Sequence, residues 1–216
     1  MNPVAEISKA LVCVIDDDVD MRGAISSLLR SAGYRVETFA NPDEFLASDL
    51  LESAACLLLD VRMGSTNGLD FQRELLDSQV RIPVILMSGY GDVPMTVRAM
   101  RAGAITFLAK PFSDDELLVA AGEAVECHWR WRSDAREAAS LRTRYERLTP
   151  RERDVLALVV AGLMNKQVAA RLVLSEITVK IHRGNLMRKM EAQSLADLVR
   201  MAEGLGVRAT ASRFGR

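Results

Sequence analysis

Five short, mostly apolar runs divide the first half of the chain, and a segment with helical spacing follows each one. The runs are Leu11-Val12-Cys13-Val14-Ile15, the alternating Arg35-Val36-Glu37-Thr38-Phe39, Cys56-Leu57-Leu58-Leu59, Pro83-Val84-Ile85-Leu86-Met87 and Ala104-Ile105-Thr106-Phe107-Leu108. A strand apolar on both faces has to be covered on both faces, so the pattern predicts a parallel sheet between two layers of helices. The intervening segments agree. Met21, Ile25, Leu28, Leu29 and Ala32 recur at helical spacing up to Gly33. Asn41-Pro42-Asp43-Glu44 and Ser113-Asp114-Asp115-Glu116 each place a capping side chain three residues before a glutamate, the mark of a helix start. Further helices are expected after Gly68 and from about Pro94 to Ala102. The expected fold class is therefore α/β, a doubly wound five-stranded parallel sheet. Ligands of such sheets bind beyond the carboxyl ends of the strands.

Those strand ends carry reactive groups. The first ends in Asp16-Asp17-Asp18, the third in Asp60, the fourth in Ser88-Gly89 and the fifth in Lys110-Pro111. Carboxylates crowded together repel one another unless a cation joins them. Mg²⁺ suits such a set, because it takes a few carboxylates, keeps waters and accepts phosphate oxygens. A carboxylate is also a nucleophile able to form an acyl phosphate, and a lysine and a hydroxyl would then meet the phosphoryl oxygens. Taken singly, each aspartate is as readily a helix cap. Four strand ends acting together favour the chemical reading.

The second half of the chain differs in charge and in period. Residues 1–125 hold nineteen acidic and ten basic residues, a charge of −9, and residues 126–216 carry +8. This imbalance predicts two domains with different partners, and a basic domain suits a polyanion such as nucleic acid. Residues 126–147, rich in Arg, Glu and Ala with Trp129 and Trp131, are expected to form a helical linker. From residue 148 to 216 the signals are helical. Thr149-Pro150-Arg151-Glu152 opens one helix, Asn165 a short one to Leu172, Ser175 one to about Met190, and Ser194 a last one. The tight turn at Leu172–Ser175 fits a helix-turn-helix. On the helix after Ser175, Val179, His182, Leu186 and Met190 share one face, while Ile177, Lys180, Ile181, Gly184 and Arg188 lie opposite. One face buried and one free is what a helix in the major groove requires.

Two resemblances follow from these residues. Ile15-Asp16-Asp17-Asp18, Leu59-Asp60-Val61-Arg62-Met63, Met87-Ser88-Gly89-Tyr90-Gly91-Asp92 and Phe107-Leu108-Ala109-Lys110-Pro111-Phe112 resemble the receiver domain of two-component response regulators, over residues 11 to about 125. Leu148 to Leu156, Asn165-Lys166-Gln167-Val168-Ala169 and Thr178-Val179-Lys180-Ile181-His182-Arg183 resemble the LuxR-type DNA-binding domain of FixJ- and NarL-like regulators. The resemblance implies a flavodoxin-like receiver over 1–125, the linker over 126–147 and an all-α helix-turn-helix domain over 148–216. It implies phosphoryl transfer from a sensor histidine kinase to Asp60, with Mg²⁺ held by Asp16, Asp17, Asp60 and the backbone carbonyl of Arg62. Ser88 and Lys110 would meet the phosphoryl group, Phe107 would be the switch aromatic, and the peptide before Pro111 would be cis. In the second domain it implies DNA contacts from Thr178, Lys180 and Ile181; Arg183 and Arg188 also lie within reach of bases or phosphates. It further implies a homodimer on paired half-sites, with Leu195, Leu198 and Val199 pairing the DNA-binding domains. RNA polymerase is a further expected partner.

The family usually continues Met-Pro-x-Met-x-Gly after the acceptor strand, whereas here the stretch is Met63-Gly64-Ser65-Thr66-Asn67-Gly68. Exchanging proline for glycine predicts a looser loop. It motivates a second reading, a DNA-binding protein indifferent to phosphorylation. A third, a phosphatase-like enzyme with Asp60 as nucleophile, lacks a second acid–base pair and a substrate motif, so no enzyme is expected. With 49% apolar and 26% charged residues the chain is expected to be globular. No apolar run approaches the roughly 18 residues of a membrane span. Met1-Asn2-Pro3-Val4-Ala5-Glu6 lacks the features of a secretory signal, and the three cysteines have neither disulfide nor metal spacing. The expected location is cytoplasmic.

Overall fold

A computed structural model describes residues 10–64, 66–89 and 93–207. The N-terminal stretch Met1 to Glu6, Ser65, Tyr90-Gly91-Asp92 and the tail from Arg208 lie outside the described residues. The chain divides into two compact units, Met1–Arg132 and Ser133–Arg216.

In the first unit the elements run β1 (Leu11–Ile15), α1 (Val19–Ser31), β2 (Arg35–Phe39), α2 (Pro42–Leu46), β3 (Ala54–Asp60), β4 (Arg62–Met63), β5 (Thr66–Asn67), α3 (Gly68–Asp77), β6 (Val84–Ser88), α4 (Val93–Arg101), β7 (Thr106–Ala109) and α5 (Asp114–Glu146). The last of these continues into the second unit. Five strands form one sheet in the order β2-β1-β3-β6-β7, every pair parallel. Alternate residues of each strand supply two cores. Val12, Val14, Cys56, Leu58, Ile85 and Met87 pack with Ile25 and Leu29 of α1 and with Leu117, Ala120 and Ala124 of α5. Leu11, Cys13, Ile15, Leu57, Leu59 and Leu86 pack with Phe45, Leu69, Phe71, Leu75 and Ala99 of α2, α3 and α4. The period-two alternation thus accounts for the helices on both faces. Strand order reverses between β1 and β3, where ligands of such sheets sit. Ile15 pairs with Leu59, so Asp16 and Asp60 end two adjacent central strands at one level.

The sequence missed β4 and β5. Arg62 pairs with Asn67 and Met63 with Thr66, antiparallel, and Gly64 sits at the turn with φ +56°. Gly-Ser between two pairing residues is a hairpin signal, but two-residue strands are too short for periodicity to reveal. These two pairings bring the ends of the expected loop together as a short hairpin.

The second unit contains the end of α5, then α6 (Pro150–Val160), α7 (Asn165–Leu172), α8 (Glu176–Met190) and α9 (Leu195–Gly204). Thr149 and Glu152 close the capping box at the start of α6. Val155, Leu156 and Val159 of α6, Val168 and Leu172 of α7, Val179, Leu186 and Met190 of α8, and Leu198 and Ala202 of α9 form the core. Leu141 and Tyr145 of α5 pack on this core, whereas Trp129, earlier in the same helix, packs on the first core described above. Arg144 donates to the Met190 carbonyl (3.4 Å) and pairs with Glu191 (3.2 Å), meeting the unsatisfied carbonyl end of α8. Among the described residues no helix is long and apolar enough to cross a membrane.

Candidate functional site

Asp16 is carried one residue past β1, and Asp60 is the last residue of β3. Both are nearly inaccessible, 1% and 5% exposed, while Asp17 is exposed. One carboxylate oxygen from each of Asp16, Asp17 and Asp60 lies within 4.8 Å of the other two. Asp18 does other work: its side chain accepts from the amides of Asp20 (2.9 Å) and Met21 (3.1 Å) and caps α1. The helix-cap alternative therefore holds for one aspartate of the run of three.

Lys110, just past β7, reaches across the strand ends. Its Nζ lies 2.7 Å from Asp16 Oδ2 and 2.8 Å from Asp60 Oδ1. Burial pushes the Asp60 carboxyl up; the hydrogen bond and charge of Lys110 oppose this without cancelling it, and the nearby Asp16 adds to the rise. Burial disfavours the Lys110 ammonium, but its bonds to Asp16 and Asp60 outweigh that and hold its pKa above the usual lysine value. Three carboxylates against one ammonium leave a formal excess of two negative charges. The donor set is hard oxygen, so these residues fit Mg²⁺.

The remaining crevice groups stand around this cluster. Ser88 is buried at the end of β6, and its carbonyl accepts from the Lys110 amide at 2.8 Å. Phe107 on β7 is half-buried against the core under α3 and α4. The Lys110–Pro111 peptide is cis, as the resemblance implied. Arg62 donates its amide to Asp60 Oδ2 (3.0 Å), and Gly64 donates its amide to Asp17 Oδ2 (3.1 Å). Gly68 approaches so closely that a Cβ there would collide with the Asp60 carbonyl. Sequence reasoning found neither the Gly64 contact nor the need for glycine at 68, because both depend on how the hairpin folds over the strand end.

On α8, Lys180 and Arg188 are exposed, as are Ile177 (74%) and Ile181 (59%). Thr178 is half-buried, with its amide and hydroxyl both bonded to the cap Ser175. Arg183 is half-buried and donates to Asn165 Oδ1 at 3.1 Å, a tie between α8 and the start of α7. His182 is half-buried toward the inner face. Leu198 requires a correction. It is fully buried in the core of its own domain, so it has no surface to offer a partner. Leu195 remains 41% exposed and Val199 half-buried on the same helix.

Comparison with known proteins agrees with both halves. Residues 12–121 match the response regulator receiver domain family, and residues 146–202 match the bacterial regulatory proteins of the luxR family. Nodulation protein W of Bradyrhizobium diazoefficiens is 50% identical over 202 residues, covering 94% of this chain and 89% of that protein. The chain is a response regulator. Transcriptional regulatory protein FixJ of Rhizobium meliloti is 40% identical to the regulator, covering 88% of it and 94% of FixJ. The solved structure of the response regulator StyR matches with a TM-score of 0.80 at 43% identity, covering 90% of the regulator and 98% of StyR. The regulator therefore joins a receiver domain to a LuxR-type DNA-binding domain, an architecture that implies a sensor kinase as donor and DNA as target.

Proposed function

We propose that Asp60 is the phosphoacceptor and that its phosphorylation by a sensor histidine kinase drives dimerisation and sequence-specific DNA binding. The observation that carries this is the buried Asp16–Lys110–Asp60 arrangement, with ammonium-to-carboxylate distances of 2.7 and 2.8 Å, at the switch point of the sheet. An Asp60 carboxylate oxygen attacks the phosphorus of a phosphohistidine. The P–O bond forms, the P–N bond breaks, and its electron pair returns to the imidazole, which takes a proton from water. Asp16, Asp17, Asp60 and the Arg62 carbonyl would hold Mg²⁺, and the cation would supply positive charge for the transferring phosphoryl oxygens. Lys110 already sits where it can pair with the incoming group, and Ser88 offers a hydroxyl on the neighbouring strand end. Phe107, half-buried, turns inward as these two close.

The domains we assign are a receiver over 1–125, a linker over 126–147 and a DNA-binding domain over 148–216. The receiver then pairs with a second copy. Lys180 and Ile181 enter the major groove, with Thr178, Arg183 and Arg188 in support, on half-sites about one helical turn apart. Leu195 and Val199 contribute to pairing of the second domains. The protein acts in the cytoplasm, engages RNA polymerase at its promoters, and turns over no substrate beyond its own acyl phosphate. Incubation with a small phosphodonor such as acetyl phosphate and Mg²⁺ tests the acceptor. The intact mass is expected to rise by one phosphoryl group in the unaltered chain and not in Asp60→Asn; labelling that persists in the variant overturns the assignment.

A further inference from the structure

The hairpin β4–β5 touches the acidic cluster through two backbone donors. In an extended strand the amides of residues i and i+2 face the same side. Arg62 and Gly64 have that spacing, and their amides meet Asp60 Oδ2 and Asp17 Oδ2. These two bonds differ in what they hold. Asp60 is also fixed by burial and by Lys110. Asp17 is exposed, carries the same charge as its two neighbours, and is repelled by both. An exposed aspartate in that position tends to rotate into solvent, away from the cluster. The Gly64 amide, across 47 residues of chain, holds it within reach of the other two carboxylates.

Gly64 suits this duty for two reasons. Its φ of +56° is the left-handed conformation that glycine adopts without strain. Its N–H is the group that does the holding. A proline at 64 would lack both. We propose that Gly64 is a positioning residue for the cation site: its amide pre-sets the Asp17 carboxylate and leaves the second carboxylate oxygen for Mg²⁺. This rests on the assignment of Mg²⁺ to Asp16, Asp17 and Asp60 above. Asp17 has two carboxylate oxygens, so one can accept from Gly64 while the other meets a cation, and the bond's charge effect would then largely cancel between the metal-free and metal-bound states. What remains is the cost of ordering Asp17 against repulsion, which the hairpin meets before the cation arrives. Outer partners of this kind change metal affinity by about tenfold or more.

Calorimetric titration of the full chain with MgCl₂, without phosphodonor, tests the proposal. Gly64→Pro, which deletes the N–H, is expected to weaken Mg²⁺ binding about tenfold. Gly64→Asn keeps the N–H and tolerates positive φ, so its affinity should stay within about twofold of the unaltered chain. A merely structural role would lower thermal stability in the proline variant and leave the Mg²⁺ affinity of its folded form unchanged; that outcome overturns the proposal. No Mg²⁺ binding by the unaltered chain overturns the metal assignment itself, and this inference with it. Should Gly64→Pro not fold, hydrogen exchange at the Gly64 amide decides. Protection in the unaltered metal-free chain and its loss in Asp17→Ala support the tether, and equal exchange in the two refutes it.

Discussion

Asp16 and Asp60 are all but sealed from water in the receiver crevice, whereas Lys180 and Arg188 on α8 stand in solvent. In the proposed function both regions would use their charge on phosphates. Lys110 holds Asp16 and Asp60 in mutual contact before any ligand arrives, so the proposed phosphoryl transfer would need little reorganisation. On α8 the inner face is fixed through Val179, Leu186 and Met190, whereas Lys180 and Ile181 stand exposed and, in the proposed function, are the side chains that DNA would order. Single changes in the crevice should therefore be large and specific. Single changes on the helix should be modest, partly additive and sensitive to salt.

The largest contrast is expected at Asp60. Asp60→Asn should abolish the rise in dimerisation and DNA affinity that a phosphodonor produces, measured by light scattering and DNA titration, while leaving the basal DNA affinity in place. Loss of basal affinity in this variant would break the separation of the two regions.

Next come the two buried-pair lysines. Lys110→Ala leaves Asp16 and Asp60 facing each other uncompensated and should cost about 3 kcal/mol in urea unfolding. Because the folded pKa of Lys110 is raised, this contribution is fully present below the ordinary lysine value and is lost only as pH climbs through the folded one. Lys189→Ala removes the 2.7 Å partner of Glu152, but Glu152 keeps the Thr149 amide, so a smaller loss of about 1–2 kcal/mol is expected. Mg²⁺ should restore part of the first loss and none of the second.

Acid should separate the regions in sign. The Asp60 pKa is raised on folding, so its favourable contribution exists below the unfolded value and is lost as pH rises through the folded one. Burial also raises the Glu152 carboxyl, but bonds from Lys189 and Thr149 outweigh it and hold the pKa below the ordinary value. Its contribution is present above the unfolded value and lost as pH falls through the folded one. Acidifying from about pH 6 to about pH 4 should relieve the receiver at Asp60 and weaken the DNA-binding unit at Glu152. Amide exchange at Leu58 and Leu186, compared with Asp60→Asn and Glu152→Gln, reads the two contributions separately.

On the helix, Lys180→Ala should weaken DNA binding several-fold and reduce the salt slope by about one. Ile181→Ala should weaken it without changing the slope. The smallest effect is expected at Val173, which is 90% exposed and forms the turn between α7 and α8 at φ +55°. A β-branched residue is strained there, so Val173→Gly should stabilise the second unit by about 0.5–1 kcal/mol in thermal unfolding.

Much of this was legible in the sequence because the features are periodic or local. The five sheet strands, the capping boxes at Ser113 and Thr149, and the inward face of α8 follow from spacing alone. The crevice was legible because Asp16, Asp60, Ser88 and Lys110 each end or follow a strand, and a parallel sheet brings such ends to one rim. What escaped depends on three-dimensional register. The Gly64–Asp17 bond links residues far apart in the chain. That Leu198 turns inward while Leu195 does not could not be told from the sequence, since both lie on the apolar side of α9 and only tertiary packing, chiefly against α6, decides which is covered.

The most direct test of the account is selection of genomic fragments bound by the full chain in Mg²⁺, with and without beryllofluoride as a phosphoryl mimic. The account predicts enrichment of a paired half-site only when the mimic is present, and none in Asp60→Asn under either condition. Equal enrichment of the same site with and without the mimic would contradict it, leaving a DNA-binding protein whose acidic crevice does not control it.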